Sequence, residues 1–261
     1  MVFFVAQFGY GQTSELYMLF SPNVINPVGI TYVYQGGQLV RSWSHASPYE
    51  IPLVVAGQRV RQGAVFGGFS GTEYSTAGVL TGTHYPAAPY VFDAASDGTS
   101  IYGWQVDTGT LMRYDLNWGH PVTLFTLDPT YDFAFMGITY DPQNNSIWLA
   151  PWNASASLKG HLYNYSLDGR LLGTLTLANN TEMGSGLAYD SADNTFWMFN
   201  WGANRLEQYA RGGGNMLSSI GGRSRIYGLE FAAVPEPSVL TLFGTAALLL
   251  FVRRFRSRTE I

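Results

Sequence analysis

Gly137-Ile-Thr-Tyr-Asp-Pro-Gln-Asn-Asn-Ser-Ile-Trp-Leu-Ala-Pro-Trp152 returns 49 positions later as Gly186-Leu-Ala-Tyr-Asp-Ser-Ala-Asp-Asn-Thr-Phe-Trp-Met-Phe-Asn-Trp201. The two stretches match in kind at nearly every step. A glycine opens each, an apolar run leads to an aspartate, a polar turn follows, and a second run carries two tryptophans. Gly228-Leu-Glu-Phe231 begins the same phrase a third time. Within the runs apolar residues alternate with period two, which suits strands and excludes a helical solenoid. The Asn, Asp and Gly residues between the runs are those that bend a chain tightly between strands.

Further pieces recur around this phrase. Leu162-Tyr-Asn-Tyr165 matches Leu206-Glu-Gln-Tyr209, Leu111-Met-Arg-Tyr114 stands upstream, and Arg170-Leu-Leu-Gly-Thr-Leu-Thr-Leu177 adds an alternating segment. Each unit reads as four short strands, with spacings near 42 to 51 residues. Four strands in roughly 40 to 50 residues is the signature of a β-propeller blade. Residues 90–127 form another unit, with Ser100 to Val106 as second strand and Val122 to Leu127 as fourth. Residues 51–83 form a weaker one, with Leu53-Val-Val55 and Ala64-Val-Phe66 as its clearest strands. Residues 15–43 offer three strands, and a lone first-strand phrase remains at 227–232. The spacing therefore predicts an all-β fold, a propeller of five four-stranded blades over residues 13–233, closed by the C-terminal strand. Such closure leaves no open sheet edge at the seam.

Composition agrees with an exported all-β domain. Charged residues are 12%, aromatics 15%, glycines number 30 and cysteine is absent, so neither disulfides nor thiolate metal sites contribute. Up to Val252 there are 10 Lys and Arg against 17 Asp and Glu. An acidic body offers no electrostatic footprint for nucleic acid. Residues 1–12 have the apolar character of the remnant of a signal peptide, with Ala6 to Gln12 near its cleavage end.

The last stretch has its own order. Val234, Pro235, Glu236, Pro237 and Ser238 form a short stiff motif, because the prolines fix φ and push the preceding residues toward extended geometry. An uncharged run follows, carrying Val239, Leu240, Leu242, Phe243, Leu248, Leu249, Leu250, Phe251 and Val252. It predicts a single transmembrane helix, reaching the roughly 20 residues a bilayer asks for when counted from Ala233. Arg253, Arg254, Arg256 and Arg258 then hold that end on the cytoplasmic side. Residues 234–261 resemble the PEP-CTERM sorting signal of exported bacterial proteins. The resemblance implies an exosortase as partner, which cuts at or beside Pro235-Glu236-Pro237. It also implies an inner-membrane anchor before processing, and a body then displayed at the cell surface or in an extracellular matrix rich in exopolysaccharide. Glu236 is a recognition residue in that reading, and the catalytic residues belong to the exosortase.

The body carries no catalytic constellation and no cofactor motif. Trp148 and Trp197 are equivalent by repeat, as are Trp152 and Trp201. Such rings pack between blades, or, for Trp152 and Trp201 at the strand ends, stack on sugars; exopolysaccharide or a surface protein is the partner expected of the body. Asp93, Asp141 and Asp190 read as one repeat position before the first turn, where an aspartate caps its own turn. Asp97, Asp107, Asp115 and Asp132 read as turn residues too. A glycan-active hydrolase or lyase needs a carboxylate cluster at the ring centre or on one face, with its members about 5–9.5 Å apart. His45, His84, His120 and His161 have no metal-ligand spacing.

Overall fold

The computed structural model describes residues 14–21, 29–47, 49–127, 134–152, 160–178, 183–221 and 225–232. These form twenty strands in five four-stranded antiparallel sheets. The first blade is shared between the two ends of the chain. β1 (Glu15–Phe20), β2 (Ile30–Gln35) and β3 (Gln38–Ser44) are completed on the inner side by β20 (Ile226–Phe231). β4 (Glu50–Ala56), β5 (Arg59–Ala64), β6 (Gly71–Ser75) and β7 (Leu80–Tyr85) form the second blade. The third runs β8 (Val91–Ser96), β9 (Ser100–Gln105), β10 (Thr110–Asp115) and β11 (Val122–Thr126). The fourth is β12 (Ala134–Asp141), β13 (Ser146–Trp152), β14 (His161–Ser166) and β15 (Leu171–Thr176). The fifth is β16 (Met183–Asp190), β17 (Thr195–Asn200), β18 (Arg205–Ala210) and β19 (Met216–Gly221).

The five innermost strands, β20, β4, β8, β12 and β16, stand side by side around one axis. Burial falls from that axis outward. β4 is buried at every residue, whereas the outermost strands β3, β7 and β19 are mostly exposed. Between neighbouring blades lie separate apolar clusters, such as Trp148, Leu187, Phe196 and Tyr209 between the fourth and fifth. A propeller's core is thus a ring of inter-blade seams, each made of alternate residues of two facing sheets. Closure is direct: Leu16 faces Phe231, Tyr17 faces Glu230 and Met18 faces Leu229 across the β1–β20 ladder.

The turns explain the repeated Asx signal. Asn145 and Asn194, equivalent by repeat, take φ of 50° and 61° in the hairpins after the innermost strands. Asn accepts that left-handed geometry at low cost. Two expectations need correction. In the second blade the second strand is Arg59–Ala64, so Val65 and Phe66 lie beyond its end. Its Arg-Val-Arg-Gln opening is polar at three of four positions, the fully buried Gln62 among them, and so lacks a continuous apolar signal. Asp93 does not share a position with Asp141 and Asp190. It lies inside β8, and Asp97 stands at the turn, because Phe92-Asp93 imitates Tyr140-Asp141 four residues too early. No helix among the described residues is long and apolar enough to cross a membrane. The apolar run at 239–252, its motif at 234–238 and its arginines lie outside the described residues, as does the 1–12 segment.

Candidate functional site

The axis is organised by one backbone irregularity. In every blade the innermost strand slips register against its neighbour. The slips fall between Glu50 and Leu53, Val91 and Ala94, Phe135 and Gly137, and Met183 and Leu187, and opposite Leu19/Phe20 on the closing strand. Such bulges bend a strand and re-aim its backbone groups. These strands are also the inner edges of their sheets, so N–H groups facing the axis have no partner strand.

Asp93 supplies the missing acceptor. Its Oδ2 accepts from the N–H of Ile138 (3.0 Å) and Leu187 (2.9 Å). Its Oδ1 accepts from Leu229 (3.1 Å) and from its own neighbour Ala94 (3.0 Å). One fully buried carboxylate therefore ties four innermost strands together at the hub. Burial pushes its pKa well up, against the pull of those four N–H groups. In the fourth, fifth and closing strands the equivalent residue is Gly137, Gly186 or Gly228. A Cβ on Gly186 would lie 2.8 Å from Leu229 Cγ, and one on Gly228 would lie 3.1 Å from Leu53 Cβ. Glycine there lets the strands close in around the single side chain.

Beside the hub, where the innermost strands end, a well of about 160 Å³ opens, lined by residues of all five. Glu230 reaches it from β20 and is 7% exposed. Its Oε2 has no hydrogen-bond partner, alone among the buried carboxylate oxygens of the described residues. Burial, and then the nearby Asp93 carboxylate, hold its pKa well above the usual range, against a backbone hydrogen bond from Ser96. Asp97 and Asp190 also line the well, and no Lys, Arg or His does. Burial raises Asp97, but hydrogen bonds from the Tyr102 hydroxyl and the Thr99 and Ser100 N–H groups outweigh it and leave the carboxyl low. Asp190 is raised by burial, while accepting from the Ser14 hydroxyl at 2.8 Å and the Ala192 N–H at 2.9 Å.

A larger cavity, about 530 Å³, lies between the first and fifth blades. Register explains its lining. Trp197 stands opposite Gln208, and Gln208 opposite Ser218, so the three share one face of the fifth blade. Gln208 is held in place, donating to Asp193 Oδ2 and Thr195 Oγ1, each at 3.0 Å, and accepting from the Ser218 hydroxyl at 2.6 Å. The equivalent Trp148 in the fourth blade meets another fate. It is buried against Phe196 (ring centroids 5.0 Å apart) and donates to Asp141 at 3.1 Å.

Among the residues singled out by sequence, Asp141 and Asp190 cap their turns, accepting from the N–H groups of Gln143 and Ala192. Asp141 is also ion-paired with Arg211. Asp115 does the same for Asn117 and Gly119, and Asp132 lies outside the described residues. Trp201 is half-buried and edge-on to Phe199 and Tyr227, at 5.9 and 6.1 Å between centroids. Trp152 is half-buried at the end of β13. Both tryptophans lie at strand ends away from the well. His45 is buried with Thr31 and Gln62, at 3.0 and 3.1 Å. No group of three or more His, Asp or Glu among the described residues is disposed to hold a metal ion. Sequence reading missed Glu230, which looks like one more polar strand residue, and the hub role of Asp93.

No family model matches the chain, and no curated protein matches it in sequence. Among solved structures, one chain of a nidogen/laminin complex superposes with a TM-score of 0.56. The identity is 13%, over 84% of this chain and 98% of that one. A glutaminyl cyclase from Myxococcus xanthus gives 0.48 at 15% identity, over 72% of this chain and 77% of that one. The likeness is one of fold alone. At these identities the neighbours lend this chain neither a substrate nor a partner.

Proposed function

We propose that the chain is an exported bacterial surface protein whose propeller body binds polysaccharide in the groove between its first and fifth blades. The observation that carries the binding is the row of Trp197, Gln208 and Ser218 along a cavity of about 530 Å³. A flat aromatic ring beside fixed amide and hydroxyl groups suits a sugar, which presents an apolar face rimmed by hydroxyls. Trp197 supports this better than Trp152 or Trp201, since Trp201 is engaged by neighbouring rings. Export rests on the order of Pro235-Glu236-Pro237, the uncharged run and the four arginines, with the exosortase and the inner membrane as partners. A glycan hydrolase or lyase is the weaker reading. Glu230, Asp97 and Asp190 line the well at the ring centre, but Asp97 and Asp190 are held by donors of their own turns. Asp93 has both oxygens engaged by backbone N–H groups, and Asp141 caps its turn.

Two experiments test the two halves. Mass spectrometry of the extracellular fraction should recover body peptides and none from 239–258. Recovery of those peptides on the mature protein would replace processing by a permanent anchor. Binding to purified exopolysaccharide should fall on Trp197→Ala and on Gln208→Ala, and should survive Trp152→Ala. Loss in the last variant alone would move the site to the other end of the strands.

A further inference from the structure

Exposed apolar side chains are normal when scattered singly, but on this body they are ordered. Ten large hydrophobic residues stand well out of the surface among the described residues, and eight of them lie on an outermost strand or just before one. Every blade contributes: Leu39 in the first, Val79 and Leu80 in the second, Val122 in the third, Leu171 in the fourth and Leu217 in the fifth. Register places them all at one end of the ring. β20 ends at Phe231 beside Leu16, and β1, β2 and β3 carry that end outward to Gln38. In the other four blades the outermost strand likewise begins where the innermost one ends. Bulges sharpen the pattern. Against β2, β14 and β18 the outermost strand holds one residue too many, and that residue is Val40, Leu172 or Leu217. Sheet edges are usually blunted by charges or prolines as well as by bulges. Here the extra residue is apolar and 40–57% exposed, and β7, β11, β15 and β19 contain no Asp, Glu, Lys or Arg.

The chain leaves the body at this same end. Ala232, one residue beyond β20, donates its N–H to Glu15, and β20 is an innermost strand, so the chain continues from inside the apolar ring. Only six residues, 233–238, separate Ala232 from the uncharged run that begins at Val239. At full extension the seven steps from Ala232 to Val239 span about 25 Å. We infer that this end of the ring faces the membrane in the anchored protein, and that its apolar rim seats in the headgroup region of the bilayer around the tail. The inference rests on the proposed reading of the tail as a membrane anchor. A tether this short keeps the rim beside lipid at a high effective concentration, so contacts too weak to bind alone become populated. A bilayer also meets all five blades at once, whereas a second copy or a glycan chain touches one or two. Arg41, Arg59 and Arg211 near this end are paired with Glu15, Glu73 and Asp141, so their charge is not free for anionic headgroups. The contact is apolar, like that of side chains at a membrane interface.

The test uses the full chain, which has no cysteine of its own, reconstituted in phosphatidylcholine vesicles. Ala77→Cys and Asn215→Cys place a nitrobenzoxadiazole label in exposed turns beside the rim. Ser70→Cys and Thr108→Cys place it at the opposite end of the ring. Lipid carrying a nitroxide at headgroup depth should cause a loss of fluorescence for the first pair and none for the second. Adding phosphatidylglycerol to the vesicles should leave that loss unchanged. Combining Leu39→Asp, Leu172→Asp and Leu217→Asp should remove the loss while the chain still floats with the vesicles, and thermal unfolding in detergent checks that the body remains folded. Failure of the parent chain to float with vesicles would sink the anchor reading and this inference with it. Flotation with equal loss at both ends, or with none at either, would overturn the seating alone and leave the anchor standing. A loss confined to phosphatidylglycerol vesicles would overturn the apolar contact in favour of an electrostatic one. A loss that needs no nitroxide and grows with protein density would make the rim an interface between copies instead. None of these results bears on the polysaccharide groove.

Discussion

Asp93 shows how much one side chain can hold. Its two oxygens accept four backbone N–H groups from four strands. Asp93→Ala leaves those donors buried without an acceptor, at roughly 1–3 kcal/mol each, so urea denaturation should show a loss of about 3 kcal/mol or more. Asp93→Asn keeps one accepting oxygen and turns an amide N–H₂ toward two donors, so an intermediate loss of about 2 kcal/mol is expected. Equal stability of all three proteins would remove the hub role. A second buried cluster gives a pH prediction. Burial pushes the Glu50 carboxyl up to about 7, although Thr72 and Tyr74 donate to it, and burial pushes the His45 imidazole down to about 3. The signs oppose each other. A carboxyl raised on folding stabilises the fold fully below its unfolded value of 4.5 and loses that contribution as pH rises to about 7. The depressed imidazole stabilises fully above 6.5 and loses its share as pH falls toward 3. Glu50→Gln should therefore gain on the parent as pH climbs from 4.5 to about 7, read from urea midpoints across that window. A constant difference would show that Glu50 does not titrate there.

The innermost strand is the element on which the fold turns, and it was also the most legible in sequence. Gly137 and Gly186 with their following Asx turns mark β12 and β16, and Gly228 marks β20. Their glycines are read correctly from sequence as repeat markers, but the reason for them appears only in three dimensions: each faces the next blade's innermost strand. Gly186→Ala should cost about 1–3 kcal/mol, since its Cβ would meet Leu229 Cγ at 2.8 Å in a filled seam. The penalty should shrink when Leu229→Ala is already present, and a double-mutant cycle reads that coupling directly. Additive effects would place the strain elsewhere. The outer strands were harder to read because packing, not pattern, fixes them. β7 is exposed at five of its six positions and β19 carries Ser-Ser at its centre, so neither shows an apolar face. Asp93 was misread for a related reason. An aromatic residue before an aspartate is a local cue, whereas the hub position depends on three other blades.

At the scale of the whole molecule, the ring is held shut by a strand from the far end of the chain. β20 pairs with β1 through five residues and sends Leu229 N–H to Asp93. Removing residues 226–261 would strip the first blade of its inner strand, expose the β1 edge and break the hub. The combined loss rivals the roughly 5–15 kcal/mol that hold a typical domain together, so this truncation should give an aggregated or non-cooperative product. Ending the chain at Val234 should do nothing of the kind, because β20 ends at Phe231 and Ala232 donates its N–H to Glu15 at 3.0 Å. The proposed processing site at Pro235-Glu236-Pro237 lies in sequence just past these closing contacts of the described residues. On the proposed reading, a peptidase acting there would separate body from membrane without opening the ring. Thermal unfolding of the chain ended at Val234 should accordingly match that of the full chain in detergent within about 2 °C, a shift worth about 0.5–1 kcal/mol for a body of this size. A marked drop would mean that the tail contributes to the body's fold, and that sorting could not remove it without cost.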